Sequence, residues 1–301
     1  MKIFDCFLFF DEDIQLDIRL NVLDQYIDQF VIVESRFSHS GERRNPIFDI
    51  RKYQKFENKI TYILLDKEPE NLFKITSEDD PNKNEKKILN GNIREFYQRN
   101  AISKGIKNAS DEDFIIISDV DEIPNLENID FSNIKNKFIF FKQIFFCYKL
   151  NLFSENLIWY GSRMTKKKNL ISPQWLRDIK DRNYPFWRVD TFLSKKKHRN
   201  ILFQKDGGWH FSYIKNPKGV EDKLKSIRHH IEYDLHPIGV EGIEEMIKQK
   251  KLIYNYNADQ RQNKFLNTET LKELSPNNLP NYINSNKSKF KEWIYVEKKN
   301  V

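Results

Sequence analysis

The 301-residue sequence predicts an α/β fold: a doubly wound, mostly parallel sheet with helices on both faces and a mixed C-terminal half. Three observations predict it. Short β-branched runs alternate with helical periodicity through the first half of the chain. Those runs are apolar throughout rather than alternating, as strands covered on both faces are. Acidic residues stand where two of them end, at Glu34 and Asp119, which is where an open α/β sheet binds its ligands.

Ile3–Phe10 reads as the first buried strand. Leu16, Leu20, Leu23, Ile27 and Phe30 then recur at i, i+4, i+7, i+11 and i+14, one face of an amphipathic helix. Strands Phe30–Glu34 (FVIVE) and Ile60–Leu65 (ITYILL) follow. From Asp66 to Asn92 the composition turns polar, with Pro69 and Pro81, as in a surface loop. A helix over Ile93–Lys107 is expected to send Ile93, Phe96, Tyr97 and Ile106 to the core. Arg94 and Gln98 share its other face by i,i+4 spacing, and Glu95 with Arg99 suits a helix ion pair. Strand Phe114–Ser118 delivers Asp119. Phe138–Tyr148 (FIFFKQIFFCY) reads as one or two adjoining strands, and Tyr160–Arg199 as a Lys/Arg-rich loop region. Helix dominates from Pro217, with a polar tail after Pro276.

Composition narrows the classes. Apolar residues at 39% and charged residues at 32% exclude a disordered chain. The net charge of +7 comes without a nucleic-acid-binding signature, so no nucleic-acid partner is expected and the excess reads as a solvated basic surface. No apolar run approaches the ~20 residues of a membrane-spanning helix. MKIFDCFLFFDED reads as a strand rather than a signal peptide, because Asp5 interrupts it and Asp11-Glu12-Asp13 follows. The two cysteines, Cys6 and Cys147, sit in apolar runs and read as buried thiols. A cytoplasmic protein is expected, with peripheral membrane association the alternative that a basic surface allows.

Asp119-Val120-Asp121 is the central motif. In an extended segment its two carboxylates face one side and Val120 the other. Hard oxygen ligands of this kind suit Mg²⁺ or Mn²⁺, with substrate phosphates completing the shell. Trp209-His210, after Gly207-Gly208, offers an imidazole as a further metal ligand and an indole to stack on a sugar ring. His229-His230 with Glu232 forms a third cluster. Arg94 and Arg99 suit phosphate, and Asp206 suits a general base if its turn enters the cleft. A metal-dependent phosphohydrolase and a non-catalytic glycan- or polyanion-binding module use the same features and stand as alternatives.

Six stretches in order together resemble glycosyltransferase family 17: Phe10–Leu20 (FDEDIQLDIRL), Val33–Phe48 (VESRFSHSGERRNPIF), Arg94–Ala101 (REFYQRNA), Phe114–Pro124 (FIIISDVDEIP), Gly207–Tyr213 (GGWHFSY) and Lys223–Asp234 (KLKSIRHHIEYD). Asn281–Trp293 is a further match. The resemblance implies a GT-A-like fold, inversion at the anomeric carbon, UDP-GlcNAc as donor and a glycan as acceptor. It implies metal and diphosphate roles for Asp119 and Asp121, and a nucleoside contact for Glu34. Arg94, Gln98 and Arg99 fall in its polar helix, Trp209 and His210 in its GWH motif, and His230 with Glu232 in its later His-x-Glu-Tyr. Asp206, ahead of Glu232, is the expected base. Animal members carry an N-terminal membrane anchor, whereas this sequence is expected to start at the catalytic domain. Arg44-Asn45-Pro46 replaces the more usual Lys-Pro, and a residue is added before His230. A single domain over residues 1–301 follows, with a nucleotide-sugar half (1–125), an acceptor half (126–240) and a helical extension (241–301).

Overall fold

The computed structural model describes residues 1–227, 230–258, 262–275 and 278–297; His229 of the double-histidine cluster lies outside them. The elements run β1 (Ile3–Phe9), α1 (Asp13–Leu23), β2 (Gln29–Ser35), β3 (Ile60–Leu65), α2 (Lys83–Asn100), β4 (Phe114–Asp119), β5 (Glu122–Pro124), β6 (Phe138–Phe141), β7 (Gln143–Cys147), β8 (Leu152–Trp159) and β9 (Arg163–Lys166). Then come α3 (Pro173–Asp178), α4 (Asp190–Leu193), β10 (Ile201–Gln204), β11 (Gly208–Ser212), α5 (Pro217–Ser226), α6 (His230–Leu235), α7 (Gly239–Lys248), β12 (Lys272–Glu273), α8 (Asn281–Ser285) and α9 (Lys287–Phe290).

Seven strands form the first sheet in the order β10-β6-β9-β4-β1-β2-β3. Its pairs are parallel except where β9 runs antiparallel between β4 and β6. Both faces are covered, as the apolar runs require. On one, Ile3, Phe7 and Phe9 of β1 pack with Leu16, Leu20 and Leu23 of α1. On the other, Phe4 and Cys6 pack with Ile102, Ile106 and Leu176. Each fully buried leucine of α1 contributes about 1.5–3 kcal/mol.

The second sheet has five strands, β12-β8-β7-β11-β5. The aromatic run Phe138–Tyr148 is two strands in different sheets: it breaks at Lys142, with β6 in the first sheet and β7 in the second. β10 and β11 make the same crossing beside it, pairing in parallel with β6 and β7. The Gly-Gly turn makes this close approach possible. A Cβ on Gly207 would stand 2.5 Å from the Lys142 nitrogen, and one on Gly208 (φ +119°) 2.1 Å from the Ile123 carbonyl oxygen.

Three expectations change. α2 begins at Lys83 rather than Ile93, because a charged stretch without an apolar stripe still forms helix where its neighbours receive it. Tyr97 is exposed rather than in the core. Tyr160–Arg199 contains β9, α3 and α4 rather than loop alone. The tail packs back on α1, with Ile283 and Phe290 in its core cluster.

Candidate active site

The DVD segment is a third crossing between the sheets: β4 ends at Asp119 and β5 enters the second sheet at Glu122. Val120 is buried in the core, while Asp119 and Asp121 line a cavity of about 510 Å³. Val120 and Asp121 form a turn between the two strands rather than the extended segment expected, and Val120, though packed in the core, also touches the cavity. Arg19 of α1, wholly buried, fastens this crossing from behind. Its guanidinium donates to both oxygens of buried Asp5 (2.7 and 2.5 Å), to Ser118 Oγ (2.9 Å), and to the carbonyl oxygens of Asp119 (3.0 Å) and Glu122 (2.7 Å).

The cavity opens at the carboxyl ends of β1, β2 and β4, walled by α2, β11 and α5, with Tyr254, Tyr256, Lys264 and Phe265 along another side. Asp119 accepts from Arg99 Nη2 at 2.9 Å and Arg177 Nη2 at 3.0 Å. Burial alone would raise its pKa, but Arg177 and Arg99 outweigh burial and hold it well below the usual carboxylate range. Asp121 accepts from Lys223 Nζ at 3.0 Å and faces His210 Nε2 at 3.5 Å. Burial again opposes ionisation, and Lys223 and then His210 override it, so Asp121 also stays anionic. Lys223, reaching Glu12 at 3.3 Å as well, is held protonated against its burial by these two carboxylates.

Glu122, three residues past Asp119, completes the network. Its oxygens accept from Trp159 Nε1 (2.7 Å), the Asp119 backbone N–H (2.7 Å) and Arg177 (2.7 and 3.0 Å). Sequence reading missed Glu122, Arg177 and Lys223 as site residues. The only local signal was the third acid of DVDEIP, since Arg177 and Lys223 arrive from distant elements.

Of the residues singled out in advance, Gln98 and Arg99 line the cavity with Asp119, Asp121 and His210. Arg99 also pairs with Glu95 at 2.8 Å, as its spacing suggested. Arg94 and Gln98 do share a face, donating to the backbone carbonyls of His39 (3.4 Å) and Phe37 (3.0 Å). Arg94 is otherwise bound to Glu68 (2.6 Å) and does not line the cavity.

Glu34 is buried, and both its oxygens are taken, by Arg44 (2.9 Å), the N–H groups of Ile47 (2.9 Å) and Phe48 (3.1 Å), and Tyr62 Oη (2.8 Å). It anchors the 36–48 loop instead of reaching a nucleoside. Trp209 points to the opposite face of β11 from His210, where it is partly buried against the core, with Nε1 donating to the Asn278 carbonyl. Asp206 is exposed in the turn before β11, away from the cavity lining. His230 is buried at the start of α6, its Nδ1 3.0 Å from the Ile227 carbonyl oxygen, and it does not line the cavity. Glu232 accepts from Lys264 Nζ at 2.8 Å and from Tyr254 Oη, two side chains that do line it.

Among the described residues no group of three His, Cys, Asp or Glu side chains is arranged to hold a metal. Asp119, Asp121 and His210 are therefore not a preassembled three-ligand site. His210 instead packs its ring against Phe145 and Trp159. The two ionised carboxylates that remain fit the way Mg²⁺ and Mn²⁺ are commonly held, by one or two acids together with substrate phosphate.

A search of curated proteins returns no match. The family model described as Glycosyltransferase family 17 matches residues 1–294, which takes in both sheets and every residue of the cavity wall. With that coverage, the chain belongs to glycosyltransferase family 17.

Proposed function

We propose that this glycosyltransferase moves a sugar from a nucleoside-diphosphate donor, UDP-GlcNAc in the first instance, to a hydroxyl of a glycan acceptor with inversion. The observation that carries this reading is one cavity lined by Asp119 and Asp121, paired with Arg99 and Lys223, together with Lys264. Asp119 and Asp121 would hold a divalent ion, Mn²⁺ or Mg²⁺, which when bound neutralises charge on the diphosphate. Arg99 and Lys223 stabilise the same charge as it develops. Trp159, Tyr254 and Tyr256 provide apolar faces for the base or sugar.

The acceptor oxygen forms its bond to the anomeric carbon on the face opposite the nucleotide. The bond from that carbon to the diphosphate oxygen breaks, the electron pair leaves with the diphosphate, and the acceptor proton passes to a carboxylate. Of the two expected bases we assign Glu232, which meets the cavity wall through Lys264 and Tyr254, over the exposed Asp206.

A thermal-shift panel of nucleotide sugars, with and without Mn²⁺, tests the donor. Stabilisation by a UDP-sugar that needs metal, lost in Asp121→Ala, is the expected result. Stabilisation by no nucleotide sugar, or phosphate release without an acceptor, would overturn it. For the base, Glu232→Gln should lower kcat while leaving the donor-induced shift intact.

A further inference from the structure

Between α3 and β10 the chain presents an open apolar surface. Phe186 is 80% exposed, Trp187 67%, Val189 74%, Phe192 76% and Leu193 92%. Scattered apolar residues on a surface need no explanation, but five within one short segment do. The segment is not a loose end. At its base the Lys180 N–H donates to the Lys196 carbonyl and Trp175 Nε1 to the Lys195 carbonyl, each at 2.7 Å. Within it, Thr191 Oγ1 donates to the Arg188 carbonyl, and the Arg199 guanidinium lies over the Phe192 ring. This hydrogen-bonded base leaves the apolar side chains facing outward.

The charge of the molecule is concentrated around the same segment. Residues 180–199 hold seven Lys and Arg against two Asp, a net +5 of the chain's +7. Asp190 is bound to Arg188 and Lys197, so the acid in the middle of the patch is already neutralised. An apolar tip flanked by cations favours an occupant that is apolar at one depth and anionic at the next. A second copy of the chain meets that requirement badly, since a shared patch would set +5 against +5.

We propose that this segment docks the protein on an anionic lipid surface. Phe186, Trp187, Phe192 and Leu193 enter the boundary between headgroups and acyl chains, and the flanking Lys and Arg side chains reach lipid phosphates. No described helix is long and apolar enough to cross a membrane, so the contact is superficial. In the chain the patch follows α3, whose Arg177 holds Asp119 and Glu122. This inference concerns a surface outside the cavity and stands without the donor assignment.

The test is co-sedimentation of the full chain with phosphatidylcholine vesicles, with or without about 30% phosphatidylglycerol, at about 0.1 M and 0.5 M salt. Partitioning onto anionic vesicles should exceed that onto neutral ones by at least about tenfold and fall at the higher salt. The exposed-site variants Phe186→Ser/Trp187→Ser/Leu193→Ser and Arg182→Glu/Lys195→Glu should each lose at least about tenfold in binding, with unfolding midpoints unchanged. A blue shift of tryptophan emission on adding vesicles should disappear in Trp187→Phe. Equal partitioning onto both vesicle types, or wild-type binding by the serine variant, would overturn the proposal. So would a dimer in light scattering that the serine variant abolishes without any vesicle effect. Donor-induced thermal shifts should be the same in all variants, which separates failure here from failure of the transferase assignment.

Discussion

Replacing Arg19 by Met should cost the fold about 3–5 kcal/mol, because it breaks a buried ion pair and leaves one charge behind. Arg19 and Asp5 are both fully shielded from solvent, and the two groups share a bidentate contact at 2.7 and 2.5 Å. Without the guanidinium, Asp5 has no cationic partner on α1, and the carbonyls of Asp119 and Glu122 lose donors at 3.0 and 2.7 Å. The loss is about a fifth or more of an ordinary domain stability of about 5–15 kcal/mol. Asp5→Leu/Arg19→Met removes both charges and should recover at least about 2 kcal/mol relative to additivity. It would not restore the donors behind the DVD crossing, so transfer activity should stay low while stability returns. Urea unfolding followed by circular dichroism gives the three differences of the cycle. A single variant within about 1 kcal/mol of wild type, or a double variant as unstable as the sum of the singles, would refute the reasoning.

Gly161→Ala should lower the melting temperature and transfer activity together: its Cβ would stand 2.2 Å from Glu122 Cδ and 2.6 Å from Trp159 Nε1, pushing Glu122 off its partners at a cost of about 1–3 kcal/mol; an unchanged melting curve would count against this. Asp119 and Asp121 have folded pKa values below the ordinary 3.8, so their stabilisation is complete above that pH and lost as pH falls toward the folded values. Acid unfolding should therefore be shallower in Asp121→Asn than in wild type below about pH 4, with no such difference near neutrality. Burial pushes the Cys147 thiol up to about 12 and Cys6 well above its usual value, so a thiol reagent at about pH 8 should label neither until denaturant is added.

What was legible in advance follows from periodicity, which is local. β1 to β4 fall where their apolar runs lie; β1, β2 and β4 are buried on both faces, whereas edge strand β3 is only partly buried until Leu65. Asp119 and Asp121 both reach the cavity, but through the turn that follows β4 rather than by the two-residue repeat of an extended chain. On β11 the two-residue repeat does hold and sends Trp209 and His210 to opposite faces, so the two side chains do not share one site.

The parallel sheet, the strand that ends in the DVD motif, and the family can all be read from the order of the residues. Tertiary structure alone decided what each acid meets. Glu34 is held by the 36–48 loop, which folds back and satisfies it with Arg44 and two backbone N–H groups. Asp206 fell outside the cavity because the Gly-Gly turn serves the crossing between sheets rather than the cleft. Asp119 and Asp121 are kept ionised by Arg177, 58 residues on, and Lys223, 102 residues on from Asp121. Periodicity acts over a few residues, whereas a buried carboxylate is stabilised by whichever cation the fold brings within about 3 Å, and chain separation carries no information about that.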